Sequence, residues 1–327
     1  MSPDLKRLNV LYLRLPEADP LWQDEIIKAV SPRHNLAIYD PGKPLAPQFQ
    51  GVEAVLDVGG SVGTREMYQA ATEAKLWQIL GTGLDHIDLA LMKTFGFAIA
   101  YCPGQFSSVG LAECAMMYIL MLARRVRECE ANFKARILYK PTSMELEEKV
   151  LGIIGFGSSG QELARRARGF GMRIHAVDVR PIEPAILEEL NPEFLGSPDD
   201  LDRVVQESDF LSLHLHLNAE THHIIDARRI SLMKPSACLI NVARGALADE
   251  AALSEALLNN RLGGAGLDAF AQEPPNPTLP VYQLPNVVAT PHISGVTEGT
   301  ARKRAAAAAE NLDRLAQGVD PLYRVDQ

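Results

Sequence analysis

The sequence predicts an α/β protein built from two doubly wound parallel-sheet domains. Short apolar runs of strand length alternate with helix-length stretches from end to end, the pattern of parallel sheets covered by helices. At 327 residues the chain is long for a single hydrophobic core. A Gly-x-Gly-x-x-Gly turn, Gly155-Phe156-Gly157-Ser158-Ser159-Gly160, stands mid-chain behind an apolar strand. The unit it opens is therefore the second, and an independent unit precedes it.

In the first unit, Leu8 to Leu13, Leu36 to Tyr39, Ala54 to Val58, Leu76 to Leu80 and Phe97 to Tyr101 read as strands. Helical patterns lie between several of them, at Asp19 to Val30 and Thr64 to Ala74. A long helix is expected from Ser107 to Arg127 or beyond, apolar at one end and charged at the other. In the second unit the expected strands are Val150 to Ile154, Arg173 to Val177, Phe210 to Leu213, Cys238 to Asn241, Ala265 to Leu267 and Val287 to Ala289. Asp249 has the position of an N-cap for a helix from Glu250 to Leu258. A last helix runs from Thr297 to Gln317, stopped by Gly318 and Pro321, and its Ala305 to Ala309 run reads as a packing element. That helix is expected to return to the first unit. The expected domains are thus 1–103 with 294–327, and 104–293.

The glycine turn carries the first functional reading. Gly155 permits a tight turn, Gly157 lets the backbone approach a pyrophosphate, and Gly160 lets the following helix pack closely on the sheet. The N-terminus of that helix offers N–H groups and a positive dipole end to phosphates. The next strand ends at Asp178, 18 residues after Gly160. A carboxylate there accepts hydrogen bonds from an adenosine ribose and repels a 2′-phosphate, which favours NAD over NADP; Arg180, two residues on, is of the type that accommodates a 2′-phosphate.

Composition narrows the field. The net charge is −9, with no long basic run and no basic-aromatic patch, which argues against a nucleic-acid partner. Arg165-Arg166 and Arg302-Lys303-Arg304 read as solvated helix faces. The four cysteines are widely spaced, with no Cys-x-x-Cys, so neither a disulfide framework nor a zinc ribbon is expected. The N-terminus lacks a signal-peptide core, and the most apolar helix falls short of the ~20 apolar residues of a membrane span. A cytoplasmic protein with no membrane partner is the expectation.

Three polar residues stand just beyond apolar strands of the second unit: Arg244, Glu273 and His292. Open parallel sheets bind ligands at the carboxyl ends of their strands, so such positions converge. An arginine, a carboxylate and a histidine suffice to interconvert a 2-hydroxy acid and a 2-keto acid. The guanidinium forks onto a carboxylate and polarises the neighbouring carbonyl. Imidazole takes or delivers the hydroxyl proton, and a carboxylate beside it orients the ring. A bound dinucleotide supplies the hydride chemistry.

With these residues in this order, the chain resembles the D-isomer-specific 2-hydroxyacid dehydrogenases, the family of D-lactate, D-glycerate and 3-phosphoglycerate dehydrogenases. The likeness covers nearly the whole chain. Its most specific segments are Gly152 to Gly160, Met233-Lys234-Pro235 leading to Asn241-Val242-Ala243-Arg244-Gly245, Gly264 to Asp268 leading to Glu273-Pro274, and Thr290-Pro291-His292. The resemblance implies a Rossmann NAD-binding domain inserted into a flavodoxin-like substrate domain, a homodimer, and an active site in the cleft between domains. It assigns catalysis to Arg244, Glu273 and His292, the nicotinamide carboxamide contact to Asp268 and the ribose contact to Asp178. It carries further cofactor contacts to Thr82, Gly155, Gly157, Ser158, Ser159, Gly160, Leu215, Val242, Ala243, Arg244, His292 and Gly295. Substrate binding falls to Gly59, Gly60, Gly83, Arg244 and His292. The implied partner is a small 2-hydroxy or 2-keto acid.

Some positions depart from the family pattern. His214-Leu215-His216-Leu217 stands where the family reads His-x-Pro-Leu. His214 and His216 lie two apart on an expected strand, with His222-His223 nearby, but carboxylates or thiolates to complete a metal site are not evident, and no metal is expected. Gly59 stands where several relatives have arginine, which argues against a phosphorylated substrate. Two alternatives remain: a formate- or phosphonate-type dehydrogenase of the same fold, and a non-enzymatic NAD-sensing corepressor-like protein. Relatives of the formate type carry glutamine where Glu273 stands.

Overall fold

The computed structural model describes residues 6–15, 18–58 and 63–327. They form two compact units, Met1–Ser107 with Thr297–Gln327, and Ser108–Val296. In the first, the strands among the described residues are β1 (Asn9–Leu13), β2 (Asn35–Ile38), β3 (Ala54–Asp57), β4 (Leu76–Ile79) and β5 (Ala98–Ala100), in the order β2-β1-β3-β4-β5. Every pairing is parallel. This is the flavodoxin-like doubly wound order. The second unit carries β6 (Val150–Ile154), β7 (Arg173–Val177), β8 (Phe194–Gly196), β9 (Phe210–Leu213), β10 (Cys238–Asn241), β11 (Gly264–Leu267) and β12 (Val287–Ala289). Their order is β12-β11-β10-β9-β6-β7-β8, again all parallel. The order reverses between β6 and β9, the switch point at which open α/β sheets bind nucleotides.

Helices cover both faces of each sheet, so central strands such as β3, β6 and β9 are buried at every residue and read as unbroken apolar runs. In the first unit one layer packs Tyr12, Leu56 and Leu76 against Ile26 and Val30 of the Pro20–Val30 helix and Ala305, Ala308, Ala309 and Leu312 of the Glu298–Ala316 helix. The alanines let that last helix lie close. The opposite layer centres on Trp77, fully buried, with Tyr68 edge-on at a centroid distance of 4.8 Å. The Trp77 Nε1 donates to Asp57 Oδ2 at 3.0 Å, so the buried indole N–H finds its acceptor in a buried carboxylate.

The structure departs from the sequence reading in four places. The long helix is not continuous. It runs Ser108–Ala123, breaks at Arg125 with φ of +51°, and resumes as Val126–Lys134. No Gly or Pro marks the break. A returning segment ends the helix, because Met144 N donates to Ala123 O at 2.9 Å and Ser143 Oγ to Arg124 O at 3.3 Å. The helix expected over Thr64 to Ala74 stops at Ala70, since Lys75 N is already bonded to Glu53 O at 2.8 Å on the way into β4. The three-residue edge strand β8 carries no sequence signal and is set by its ladder with β7. Arg304, expected on a solvated face with Arg302 and Lys303, is instead turned inward: its Nε is buried, while the other two are exposed.

The last helix is locked by a buried amide. Asn311 Nδ2 donates to Gln78 Oε1 at 2.6 Å and to Leu322 O at 3.1 Å, and Asn311 Oδ1 accepts from Leu322 N at 2.7 Å. Removing one partner of a buried network leaves the others unpaired, at about 1–3 kcal/mol for each stranded group. Asn311→Ala is expected to lower unfolding free energy by about 2–4 kcal/mol in urea titration; a change below about 0.5 kcal/mol would show that the network carries no stability.

Candidate active site

The β6 strand delivers the chain into the glycine turn. Gly155 has φ of +92°, and a Cβ there would stand 2.4 Å from the backbone oxygen of His214. A Cβ on Gly160 would stand 2.3 Å from the oxygen of Gly155. Both distances are too short for any side chain, so these glycines permit the helix, the turn and the chain beyond β9 to meet. Leu215 packs against the same turn. The helix Ser158–Arg168 begins at Gly157, and no side chain caps it. Its first-turn N–H groups are thus unclaimed by a capping group and suited to an anion.

Asp178 follows β7, its side chain only 5% exposed. Its Oδ1 accepts from Arg180 N at 2.9 Å and Arg180 Nε at 3.3 Å. The Arg180 guanidinium reaches over the turn, within 3.1 Å of the place a Cβ would occupy on Gly157. His214 Nδ1 pairs with the Ser159 hydroxyl at 3.0 Å and its Nε2 with the Ser212 hydroxyl at 2.9 Å. Burial pulls His214 down to about 4, so the ring is neutral and ties β9 to the first turn of the helix. An uncapped helix end, a glycine turn with room for close approach and a carboxylate at the end of the neighbouring strand fit a dinucleotide.

The strand-end residues gather beyond β10, β11 and β12. Asn241 shapes the first turn: its Oδ1 accepts from Ala243 N at 3.1 Å and its Nδ2 donates to Arg244 O at 2.8 Å. Val242 and Ala243 are buried and Arg244 is half-buried. A Cβ on Gly245 would lie 1.9 Å from the carbonyl carbon of Phe270, so the Arg244 turn nests directly against the backbone of the Phe270-Ala271 loop. That loop carries Glu273, whose Oε1 accepts from Phe270 N at 3.1 Å. Glu250 braces it from the other side, accepting from Ala271 N at 2.6 Å. Burial, reinforced by the nearby Glu273 charge, raises the Glu250 carboxyl above its usual range.

His292 Nδ1 meets both oxygens of Glu273 at 2.9 Å. Its backbone is left-handed, with φ of +56°. Asp268, fully buried, holds that turn: Oδ1 accepts from Ile293 N at 2.8 Å and from the Thr290 hydroxyl, and Oδ2 accepts from Ser294 N at 2.7 Å. Three of roughly four acceptor positions on the carboxylate are thereby filled. Gly295 follows, half-buried. Tyr118 braces the assembly, its hydroxyl lying against the Thr290 hydroxyl and within 3.1 Å of Leu267 O.

Arg244, Glu273, His292, Asp268, Val242, Ala243 and Gly295 therefore share one end of the second sheet, and Gly155 to Gly160, Asp178 and Leu215 line its switch point. Thr82 and Gly83 lie after β4 in the first unit. Gly59 and Gly60 fall outside the described residues. His214 and His216 are not on a strand, because β9 ends at Leu213, and both His214 nitrogens are held by serines. Among the described residues no group of three or more His, Cys, Asp or Glu could hold a metal ion. Sequence reading missed Asn241, Glu250, Thr290 and Tyr118 as supports. For Asn241 a signal existed, an Asx side chain two residues before a buried N–H; for Tyr118 none did, since it reaches the site from a distant helix.

A model of the "D-isomer specific 2-hydroxyacid dehydrogenase, NAD binding domain" family matches residues 116–294. The chain is 34% identical over 310 residues to the glyoxylate reductase of Thermococcus litoralis, covering 90% of this chain and 91% of that one. It is 38% identical over 244 residues to the hydroxypyruvate reductase of Thermotoga maritima, covering 73% and 77%. A solved D-lactate dehydrogenase of Aquifex aeolicus, complexed with NAD and lactic acid, superposes with a TM-score of 0.78 at 28% identity, over 95% and 96% of the two chains.

The His214 bridge has a pH consequence. Its folded value, about 4, lies below the ordinary 6.5, so the unfolded chain binds the extra proton first. Its stabilising contribution is full above 6.5 and is lost as pH falls towards 4. Urea unfolding across that window is expected to show a loss on the order of 1–3 kcal/mol that is absent in His214→Asn. Parallel curves for the two proteins would rule the bridge out as the titrating element.

Proposed function

The chain belongs to the D-isomer-specific 2-hydroxyacid dehydrogenases, NAD-dependent oxidoreductases, and from that premise we propose that it reduces a small 2-keto acid of the glyoxylate or hydroxypyruvate class to its D-2-hydroxy acid. The observation that carries the catalytic reading is the His292–Glu273 pair, with Nδ1 held at 2.9 Å from both carboxylate oxygens.

NAD, when bound, supplies the hydride chemistry. The Gly155–Gly160 turn and the uncapped helix end receive its pyrophosphate, and Asp178 receives its ribose and opposes a 2′-phosphate. Arg244 forks onto the keto-acid carboxylate and draws electron density from the adjacent carbonyl. With Nδ1 committed to Glu273, Nε2 is the nitrogen left to give a proton to the carbonyl oxygen as it becomes an alkoxide. Glu273 offsets the charge of the imidazolium, and Phe270 N and Glu250 hold Glu273 and its loop in place. A carboxylate at 273 also favours this reading over a formate-type oxidation, which requires no general acid or base.

A homodimer is part of the same proposal. Met116, Met117, Leu120, Met121 and Phe170 line an apolar hollow of about 520 Å³ edged by Glu113 and Arg166. Phe133, Leu138 and Tyr139 stand out nearby in sequence, 86%, 72% and 99% exposed. An apolar surface of this kind marks an interaction site, and its Arg166–Glu113 edge offers both signs to a second copy of itself. Sedimentation is expected to give a dimer, with Met117→Asp combined with Leu138→Asp shifting it to monomer; a monomeric unmutated protein would refute the proposal.

Steady-state turnover of NADH with glyoxylate, hydroxypyruvate and pyruvate tests the chemistry. His292→Ala is expected to lower kcat by ~10²–10⁴-fold with NADH binding retained. Arg244→Ala should raise KM and lower kcat together. Glu273→Gln should lower kcat with KM for the keto acid largely kept, because the ring loses the carboxylate that orients it. A folded His292→Ala protein with near-full turnover would place the proton donor elsewhere.

A further inference from the structure

Arg304 lies in the first unit, two turns into the Glu298–Ala316 helix. Its Nη2 donates to the Thr82 hydroxyl at 3.2 Å, and its guanidinium carbon is 5.6 Å from the centre of the Trp22 ring. Its Nε is buried with no hydrogen-bond partner. Among the described residues no carboxylate pairs with it, whereas the arginines around it are matched: Arg302 with Glu298, Arg33 with Asp313, Arg324 with Asp326. The buried titratable neighbour is Cys102, and burial pushes that thiol up to about 12, so it is neutral and supplies no counter-charge. Burial also draws the Arg304 guanidinium below its ordinary value.

Arg304 is half-buried, and a cation drawn that far out of water with no anion beside it is a costly arrangement in a folded protein. Arginine cannot escape by losing its proton, as a lysine can. Its fork presents parallel N–H groups matched to the two oxygens of a carboxylate, and the Thr82 hydroxyl adds a further hydrogen-bonding group beside it. We propose that Arg304 and Thr82 form an anion subsite in the first unit, which takes the carboxylate of a small organic acid. The two coplanar oxygens of a carboxylate match the planar fork, whereas the tetrahedral oxygens of a phosphate do not. The subsite stands on the geometry of the first unit and is independent of the roles given to Arg244, Glu273 and His292; it shares Thr82 with the cofactor contacts that the family resemblance implies.

The test is anion-dependent thermal stability of the full-length protein with malonate as probe, since a ligand that binds the folded state alone raises Tm with concentration. Saturating malonate is expected to raise Tm by roughly 3–8 °C in the unmutated protein. Arg304→Met and Arg304→Gln should each lose at least about two-thirds of that shift. Arg244→Met should keep it, which separates this subsite from the proposed substrate site. Unliganded Arg304→Met should melt no lower than the parent, because an unmatched buried cation has been removed. An equal malonate shift in both Arg304 variants, or its loss in Arg244→Met, overturns the proposal. So does an unliganded Arg304→Met melting more than about 5 °C below the parent, which would mean that the folded protein already satisfies the guanidinium. Inorganic phosphate at equal ionic strength should give the smaller shift; a larger one overturns the assignment to a carboxylate.

Discussion

The buried carboxylate of Asp268 is the constraint on which the reactive end of the second sheet depends. It is satisfied only when three segments meet: the end of β11, the Thr290 hydroxyl, and the Ile293 and Ser294 N–H groups. Its own N–H reaches Asn241 O at 2.9 Å, which draws the end of β10 into the same knot. Left unmatched, such a charge would cost several kcal/mol. A left-handed residue other than glycine costs roughly 1–2 kcal/mol, so the φ of +56° at His292 is easily held by that cage. The imidazole is therefore aimed by backbone hydrogen bonds one and two residues away as well as by the glutamate it touches.

The other supports follow the same economy of parts. Gly245 brings the Arg244 turn into backbone contact with the Phe270-Ala271 loop, and the loop's N–H groups are taken up by Glu273 and Glu250. Loops of this kind are exposed and mobile by default. Here carboxylates bound to backbone N–H groups give two of them fixed shapes without burying their functional side chains: His292 is 42% and Glu273 41% exposed. Accessible tips on immobilised backbones suit groups that must meet a ligand repeatedly in one geometry.

Much of this was legible in the sequence, for physical reasons that differ by element. The strands from Val150 to Ile154 and from Phe210 to Leu213 were readable because a parallel sheet covered on both faces demands continuous apolar runs. Asp249 and Thr297 were readable as helix starts because capping is local chemistry, and each accepts N–H bonds two or three residues on. The break at Arg125 and the edge strand at Phe194–Gly196 were not, since each is imposed by a segment distant in sequence. Arg304 shows the same limit. In the run Arg302-Lys303-Arg304 the three cations look alike, and only the helix phase and the neighbouring Trp22 and Thr82 turn the third inward. Asp268 and Glu273 were visible as residues, but the N–H groups that each one gathers were not.

The packing of Ala305, Ala308, Ala309 and Leu312 against Tyr12 and Leu56 has a consequence for biosynthesis. The first unit is built from two segments that flank Ser108–Val296 in sequence. A ribosome adding about 5–20 residues per second needs roughly 10–40 s to make the intervening stretch. Throughout that interval the second unit can complete its own seven-stranded sheet, while one face of β1, β3 and β4 has only the Pro20–Val30 helix and lacks the second helix that covers it in the finished fold. A nascent chain that stalls at Val296 would carry a finished nucleotide fold together with a half-covered apolar sheet, the kind of surface chaperones hold and proteases find.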